Sequence, residues 1–151
     1  MTDTGPTAAI ALGIVAMLQT AGVGTFSPDG TVTDGTVALV LKMLPASPDR
    51  AIVVDVIPTN DDAANPMGQV AIRLRGRGAM NDPLDVDSIL DAAFAVLHAE
   101  SFLSFGGVVT VTQILRRSNG VAQQGRDAKG RWLRADQYVA DVDYPSTPQR
   151  P

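Results

Sequence analysis

The sequence predicts an α+β domain: a mixed or antiparallel sheet of four to five strands with two helices packed on one face. Three observations carry this. Apolar residues recur at helical spacing near the N-terminus and again in mid-chain. β-branched runs lie between and after these two segments. The strand candidates follow one another too closely for βαβ alternation throughout. A chain of 151 residues, 45% hydrophobic and 19% charged, has the balance of one globular domain with its own core.

The first helix is expected over residues 6–21, where Ile10, Ile14 and Leu18 recur every four residues. Thr4 or Thr7 can cap it, and Gly22 stops it. The Gly/Thr/Pro/Asp-rich residues 22–35 read as loop, 36–43 (TVALVLKM) as a buried strand, and 44–50, with Pro45 and Pro48, as a turn. Residues 51–57 (AIVVDVI) form the clearest strand, apolar enough to be buried on both faces. Residues 58–68 read as loop. Residues 69–75 alternate: Val70, Ile72 and Leu74 point one way, Arg73 and Arg75 the other, and Gly76 and Gly78 end the run.

A second helix then starts, with Asp82 at the N-cap, Pro83 at the first helical position, and Asp85 and Asp87 at the positive end of the dipole. Its stripe is Val86, Ile89, Leu90, Ala93, Phe94 and Leu97, with His98 in the last turn. Strands 108–116 and 131–142 flank a loop over 117–130. Residues 1–143 are expected to form one domain, and 144–151 (YPSTPQRP) a Pro-rich tail.

Composition narrows the chemistry. Cysteine is absent and His98 is the single histidine. Disulfide scaffolds, Cys-based metal sites, thiol nucleophiles and multi-His centres fall away together. The pair Asp61–Asp62 lacks the spaced further ligands of a cation loop. Asp85, Asp87 and Asp91 fit the dipole of a helix start. Arg75-Gly76-Arg77-Gly78 is a conceivable phosphate nest without the pattern of a nucleotide loop. Neither a metal nor a cofactor is expected, and a small hydrolase or nucleotide-binding enzyme is the weakest of the functional alternatives. The apolar run 8–18 is too short for a membrane span, and no cation precedes it as in a secretory signal, so a soluble intracellular chain is expected.

Charge is segregated. Residues 1–68 hold two bases (Lys42, Arg50) against seven acids, whereas 69–151 hold ten bases against nine. Arg116, Arg117, Arg126, Lys129, Arg131 and Arg134 crowd one segment and, with Arg73 and Arg75, suggest one basic surface. A chain of net charge −4 is poorly suited to tight duplex binding. Pairing with the acidic half of a neighbouring copy is the preferred reading, and a head-to-tail contact of that kind closes into a ring when its rotation divides a full turn.

Five short pieces occur in a recognisable order: the exit Gly22-Val23-Gly24 after a helix; Leu44-Pro45-Ala46-Ser47-Pro48-Asp49-Arg50-Ala51; Gln69-Val70-Ala71-Ile72-Arg73-Leu74-Arg75-Gly76; Asp82-Pro83-Leu84-Asp85-Val86-Asp87-Ser88-Ile89; and Gly125-Arg126-Asp127-Ala128-Lys129-Gly130-Arg131 followed by Tyr138. In this order they resemble the tail terminator proteins of long-tailed, siphovirus-type bacteriophages, also called minor capsid or tail-completion proteins. An Asn-rich stretch common late in that family is replaced by Asp136-Gln137-Tyr138.

The resemblance implies a structural virion protein without catalysis or cofactor, assembled in the host cytoplasm and placed at the head–tail junction. It implies a homo-oligomer, usually a hexameric ring, on the head-proximal end of the tail tube. Its partners would be the major tail tube protein and a head-completion or neck protein, with genomic DNA passing through the lumen unbound. A head-closure protein is the neighbouring alternative. Arg126, Asp127 and Arg131 are the candidate contact loop, with Arg73 and Arg75 on the exposed sheet face.

Overall fold

The computed structural model describes residues 5–27, 35–60, 67–107 and 109–143. The Asp61–Asp62 pair and the 144–151 tail lie outside them. Two helices, α1 (Pro6–Thr20) and α2 (Asp85–Leu97), accompany seven strands: β1 (Thr25–Phe26), β2 (Ala38–Leu41), β3 (Ala51–Asn60), β4 (Met67–Met80), β5 (Ser101–Phe105), β6 (Val109–Arg126) and β7 (Arg131–Asp143). They form one mixed sheet in the order β1-β2-β3-β4-β7-β6-β5. β1, β2 and β3 run parallel, and every later pairing is antiparallel.

Both helices lie on the same face, as the sequence predicts. Ile10, Ile14 and Leu18 of α1 and Val86, Ile89, Leu90, Ala93 and Leu97 of α2 share one core with Ile52, Val54, Ile72, Leu74, Ile114 and Tyr138 of the sheet. Each such aliphatic side chain contributes about 1.5–3 kcal/mol by leaving water. α1 touches β1, β2 and β3 at one end of the strand order and β5 and β6 at the other. The sheet therefore curls around it. This close fit depends on Gly13, where a Cβ would stand 2.3 Å from the Phe105 ring.

The expected four to five strands become seven for local reasons. β1 is two residues long and β5 is five, and neither has room for a clear alternation. β4 does not stop at Gly76 and Gly78. Those glycines sit where α2 presses onto the strand: a Cβ at Gly76 would be 2.9 Å from Leu90, and one at Gly78 2.8 Å from the Val86 nitrogen. The phosphate nest is thereby excluded, because Arg75-Gly76-Arg77-Gly78 is continuous strand. The expected loop 117–130 is mostly β6, paired to β7 through three register shifts. Its side chains are exposed on both faces, which removes the periodic signal.

The helix starts also differ in detail. Gly5 is the N-cap of α1, without a side-chain cap bond, and Pro6 opens the helix. Regular α2 begins at Asp85, with Leu84 at the cap. Asp82 forms a turn before it, accepting a bond from the Leu84 nitrogen at 3.2 Å. His98 stands at the C-cap with extended backbone rather than in the last turn. Its Nδ1 accepts the Arg116 N–H at 3.0 Å.

Gly13→Val is expected to lower stability by about 1–3 kcal/mol, because α1 must lift from Phe105. Urea denaturation measures it; an unchanged midpoint would show that the helix has slack there.

Candidate functional site

β2 and β3 are parallel neighbours, so no hairpin can join them, and such returns normally use a helix. Here residues 42–50 make the return as a bare loop over the outer sheet face. Leu44 packs on a small second core of Ala38, Val40, Ala51 and Val53. The loop's carbonyls need donors, and Pro45 and Pro48 supply no N–H of their own. Arg75 serves the Lys42 carbonyl at the start of the loop, and two buried arginines serve the rest.

Arg77 is buried on β4, opposite Ala51. Its Nε donates to the Asp49 carbonyl at 2.7 Å, and its Nη2 to the carbonyls of Pro45 and Pro48 at 2.5 and 2.9 Å. Arg131, also buried, reaches in from β7. Its Nη1 donates to the Ala46 carbonyl and the Asp49 carboxylate, both at 3.1 Å. Burial, and next the Arg131 cation, hold the Arg77 guanidinium below its ordinary value.

The same end of the sheet carries the β6–β7 turn. Asp127 Oδ1 accepts the N–H groups of Lys129 and Arg131 at 2.9 and 3.0 Å, and its Oδ2 accepts Arg131 Nε at 2.8 Å. Burial opposes its charge, but these bonds outweigh burial and hold the carboxyl below the usual carboxylate range. Gly130, at φ +78°, turns its carbonyl to the Asn81 N–H at 2.8 Å. Arg50 ties the β3 end of the 42–50 loop to α2 through both oxygens of Asp85, at 3.0 and 3.1 Å. The 42–50 loop, the turn before α2 and the β6–β7 turn thus form one braced platform. Met43, Met80 and Leu84 are exposed on it.

The structure thus brings Arg126, Asp127 and Arg131 together in one turn. Asp127 and Arg131 face inward as its scaffold, while Arg126 lies over the Trp132 ring at 5.9 Å. Arg73 and Arg75 lie elsewhere, on the outer sheet face. Both pair with Asp55, at 3.8 and 3.3 Å, and Arg75 also donates to the Lys42 carbonyl at 2.9 Å.

The single basic surface suggested by the sequence does not form, because five of its eight cations are ion-paired within the chain. Arg134 faces the helix side. It holds the fully buried Asp136 through two bonds of 2.8 and 3.0 Å and reaches Asp87 and Asp91 on α2 at 3.1 Å each. Burial opposes the Arg134 charge, but Asp136 and then the two helix carboxylates raise its pKa. Asp87 is lowered chiefly by the Gln123 side-chain bond, then by Arg134. Arg116 stands 3.6 Å from Asp136 and stacks 3.9 Å from the Phe94 centroid. Tyr138, beside them, is raised by burial and then by the Asp136 charge.

This network escaped the sequence reading. Arg134 and Asp136 are i, i+2 on a strand and so share a face, but nothing local shows that α2 sets Asp87 and Asp91 above them. Among the described residues, Lys42, Arg117, Arg126 and Lys129 are the cations in no ion pair and no side-chain hydrogen bond. No group of three or more carboxylates or histidines among the described residues is placed to hold a metal ion. Among the described residues no helix is long and apolar enough to cross a membrane.

The described residues thus form a curled sheet with a braced loop platform at one end. The bacteriophage tail terminator family model matches residues 17–144, and the chain belongs to that family. It is therefore a virion component. No curated protein matches the sequence. Among solved structures, a chain from the virion of a native gene transfer agent particle shares the fold, with a TM-score of 0.53 at 10% identity. That match covers 86% of this chain and 84% of the other.

Arg134→Met would leave the Asp136 carboxylate buried with only the longer Arg116 contact, at an expected cost of about 3–5 kcal/mol, read from chemical denaturation. Retention of wild-type stability would show that the network contributes nothing net. The depressed Asp127 carboxyl contributes stability that is present above the unfolded carboxylate pKa and lost as pH falls through its folded value. Thermal melts between about pH 7 and about pH 3 should therefore fall less steeply for Asp127→Asn than for the parent.

Proposed function

We propose that the protein forms a ring, of six copies, on the head-proximal end of the phage tail tube. There it ends tube polymerisation and offers the surface to which the neck of the filled head joins. The observation that carries this reading is the family match over residues 17–144; the braced platform is the physical feature that fits it. A terminator must seat on the tube end with one axial surface and refuse a further tube subunit with the other. Loops fixed on a rigid sheet suit that task, since their shape is set before the partner arrives.

In this reading the 127–130 turn, with Arg126 and Lys129 outward and Asp127 and Arg131 holding it, contacts the tube or the adjacent copy. Arg73 and Arg75 give the sheet face a secondary contact, weakened by their pairing with Asp55. The net charge of −4 suits a lumen through which DNA moves without being retained, because clustered cations would hold its phosphates. The work is binding, with no reaction.

Electron microscopy of tails tests it. Purified tails should show this protein as one thin terminal ring, and tails assembled without it should reach uncontrolled lengths. A ring that binds the portal side and leaves the tube end free would assign the protein to head closure instead.

A further inference from the structure

The single histidine of the chain stands where the outer side of β6 loses its neighbour. β5 pairs with β6 as far as Ser101, opposite Gln113. Next, Ile114 exchanges two backbone bonds with the segment leading into β5. Its carbonyl accepts the Ala99 N–H at 2.8 Å, and its N–H donates to the Glu100 carbonyl at 2.9 Å. In an antiparallel ladder the following residue to face that side is Arg116. By then the neighbouring segment has turned away. Ala99 has φ +67°, and the His98 N–H donates to the Phe94 carbonyl of α2 at 3.0 Å. The Arg116 N–H donates instead to the side chain of His98, at Nδ1, over 3.0 Å. An imidazole thus makes the last rung, and from Arg117 onward no described strand lies on that side of β6.

We infer that His98 is a pH-sensitive clasp on this edge, closing the rung at Arg116 when neutral and releasing it when protonated. The inference goes beyond the ring-forming reading and does not depend on it. A backbone N–H can only donate. Nδ1 accepts it with the ring proton on Nε2, whereas an imidazolium carries a proton on both nitrogens and accepts from neither. Protonation therefore sets two donors against each other. The packing of the ring acts in the same direction. His98 stacks on Phe94 with centroids 4.5 Å apart, and the Arg116 guanidinium lies 3.9 Å from the centroid of that same phenyl ring. A charged His98 in this position places two cations against one ring. The other charges around it do not cancel this. α1 and β5 carry none. On α2, Asp85 is held by Arg50, and Asp87 and Asp91 by Arg134. Asp136 of β7 is buried behind Arg116, 3.6 Å from its Nη1. Arg117 adds a further cation on β6. The exposed Glu100 and the negative end of the α2 dipole are open to an imidazolium that has swung out. Imidazole is the side chain that ordinarily changes charge between about pH 5 and about pH 8. Release frees the Arg116 N–H and lengthens the open edge of β6 by one bonding position, up to Ile114.

Amide hydrogen exchange on the full chain tests this at about pH 7.5 and about pH 5.5, corrected for intrinsic rates, with the imidazole nitrogen shifts followed alongside. In the parent, the neutral ring should carry its proton on Nε2. Protection of the Arg116 amide should fall roughly three- to tenfold at the lower pH. The Ile114 amide, bonded to a carbonyl, should keep its protection, which separates opening of the rung from general loosening. His98→Asn retains a neutral acceptor near the position of Nδ1 and should protect Arg116 equally at both pH values. His98→Ala should leave that amide unprotected at both. The clasp is overturned by an Arg116 amide equally protected at both pH values in the parent, or by Ile114 losing protection in step with it. Parent-like protection in His98→Ala, or an acid-induced loss in His98→Asn equal to the parent's, would overturn it as well.

Discussion

Most of the outer architecture depends on buried guanidinium groups meeting the carbonyls of a loop. A parallel β2–β3 return without a helix leaves backbone oxygens over a sheet, away from regular partners. Arg77 and Arg131 answer four of them, at Pro45, Ala46, Pro48 and Asp49. Arginine suits this because its planar fork presents several donors in fixed directions. Without that brace, Leu44 would lose its seat on the second core, and the return segment would have no defined path.

The inner side follows a different logic. There an apolar core fixes the helices, and one ionic cluster at the α2–β7 joint sets how α2 lies on the sheet. Asp136 is buried outright, so its charge is tolerable only because Arg134 is locked beside it. The cluster spans two sequence regions and links the helix to the strand that pairs with both β4 and β6. The strand edge at β6 and the platform are therefore positioned from the same central strand.

How much of this was legible in the sequence depends on the range of the signal. The α1 stripe, the two-faced burial of β3 and the Arg73/Arg75 alternation are encoded within a few residues, and all three appear in the structure. Glycines 76 and 78 were misleading because a strand exit and a helix pressing on a strand both demand a missing side chain. Residues 117–126 carry no periodicity, since solvent lies on both faces and pairing with β7 alone makes them a strand. The expected basic surface failed for a related reason. Clustering of Arg116, Arg131 and Arg134 along the chain says nothing of the carboxylates that folding brings from residues 49, 87 and 91. The Asp127–Arg131 pair that holds the β6–β7 turn spans four residues, whereas the bond from Asn81 to Gly130 joins distant parts of the chain and leaves no local signal.

The chemistry of the brace also bears on where the particle can survive. Carboxylates lose their grip in acid as they take up protons, but a guanidinium bound to a peptide oxygen has nothing to give up there. Acidification would slacken the links made through Asp127 and spare those that Arg77 and Arg131 make to the main chain. The folded return between the parallel strands should thus outlast its ionic trimming, and the outer face of the sheet would keep its contour in acidic surroundings.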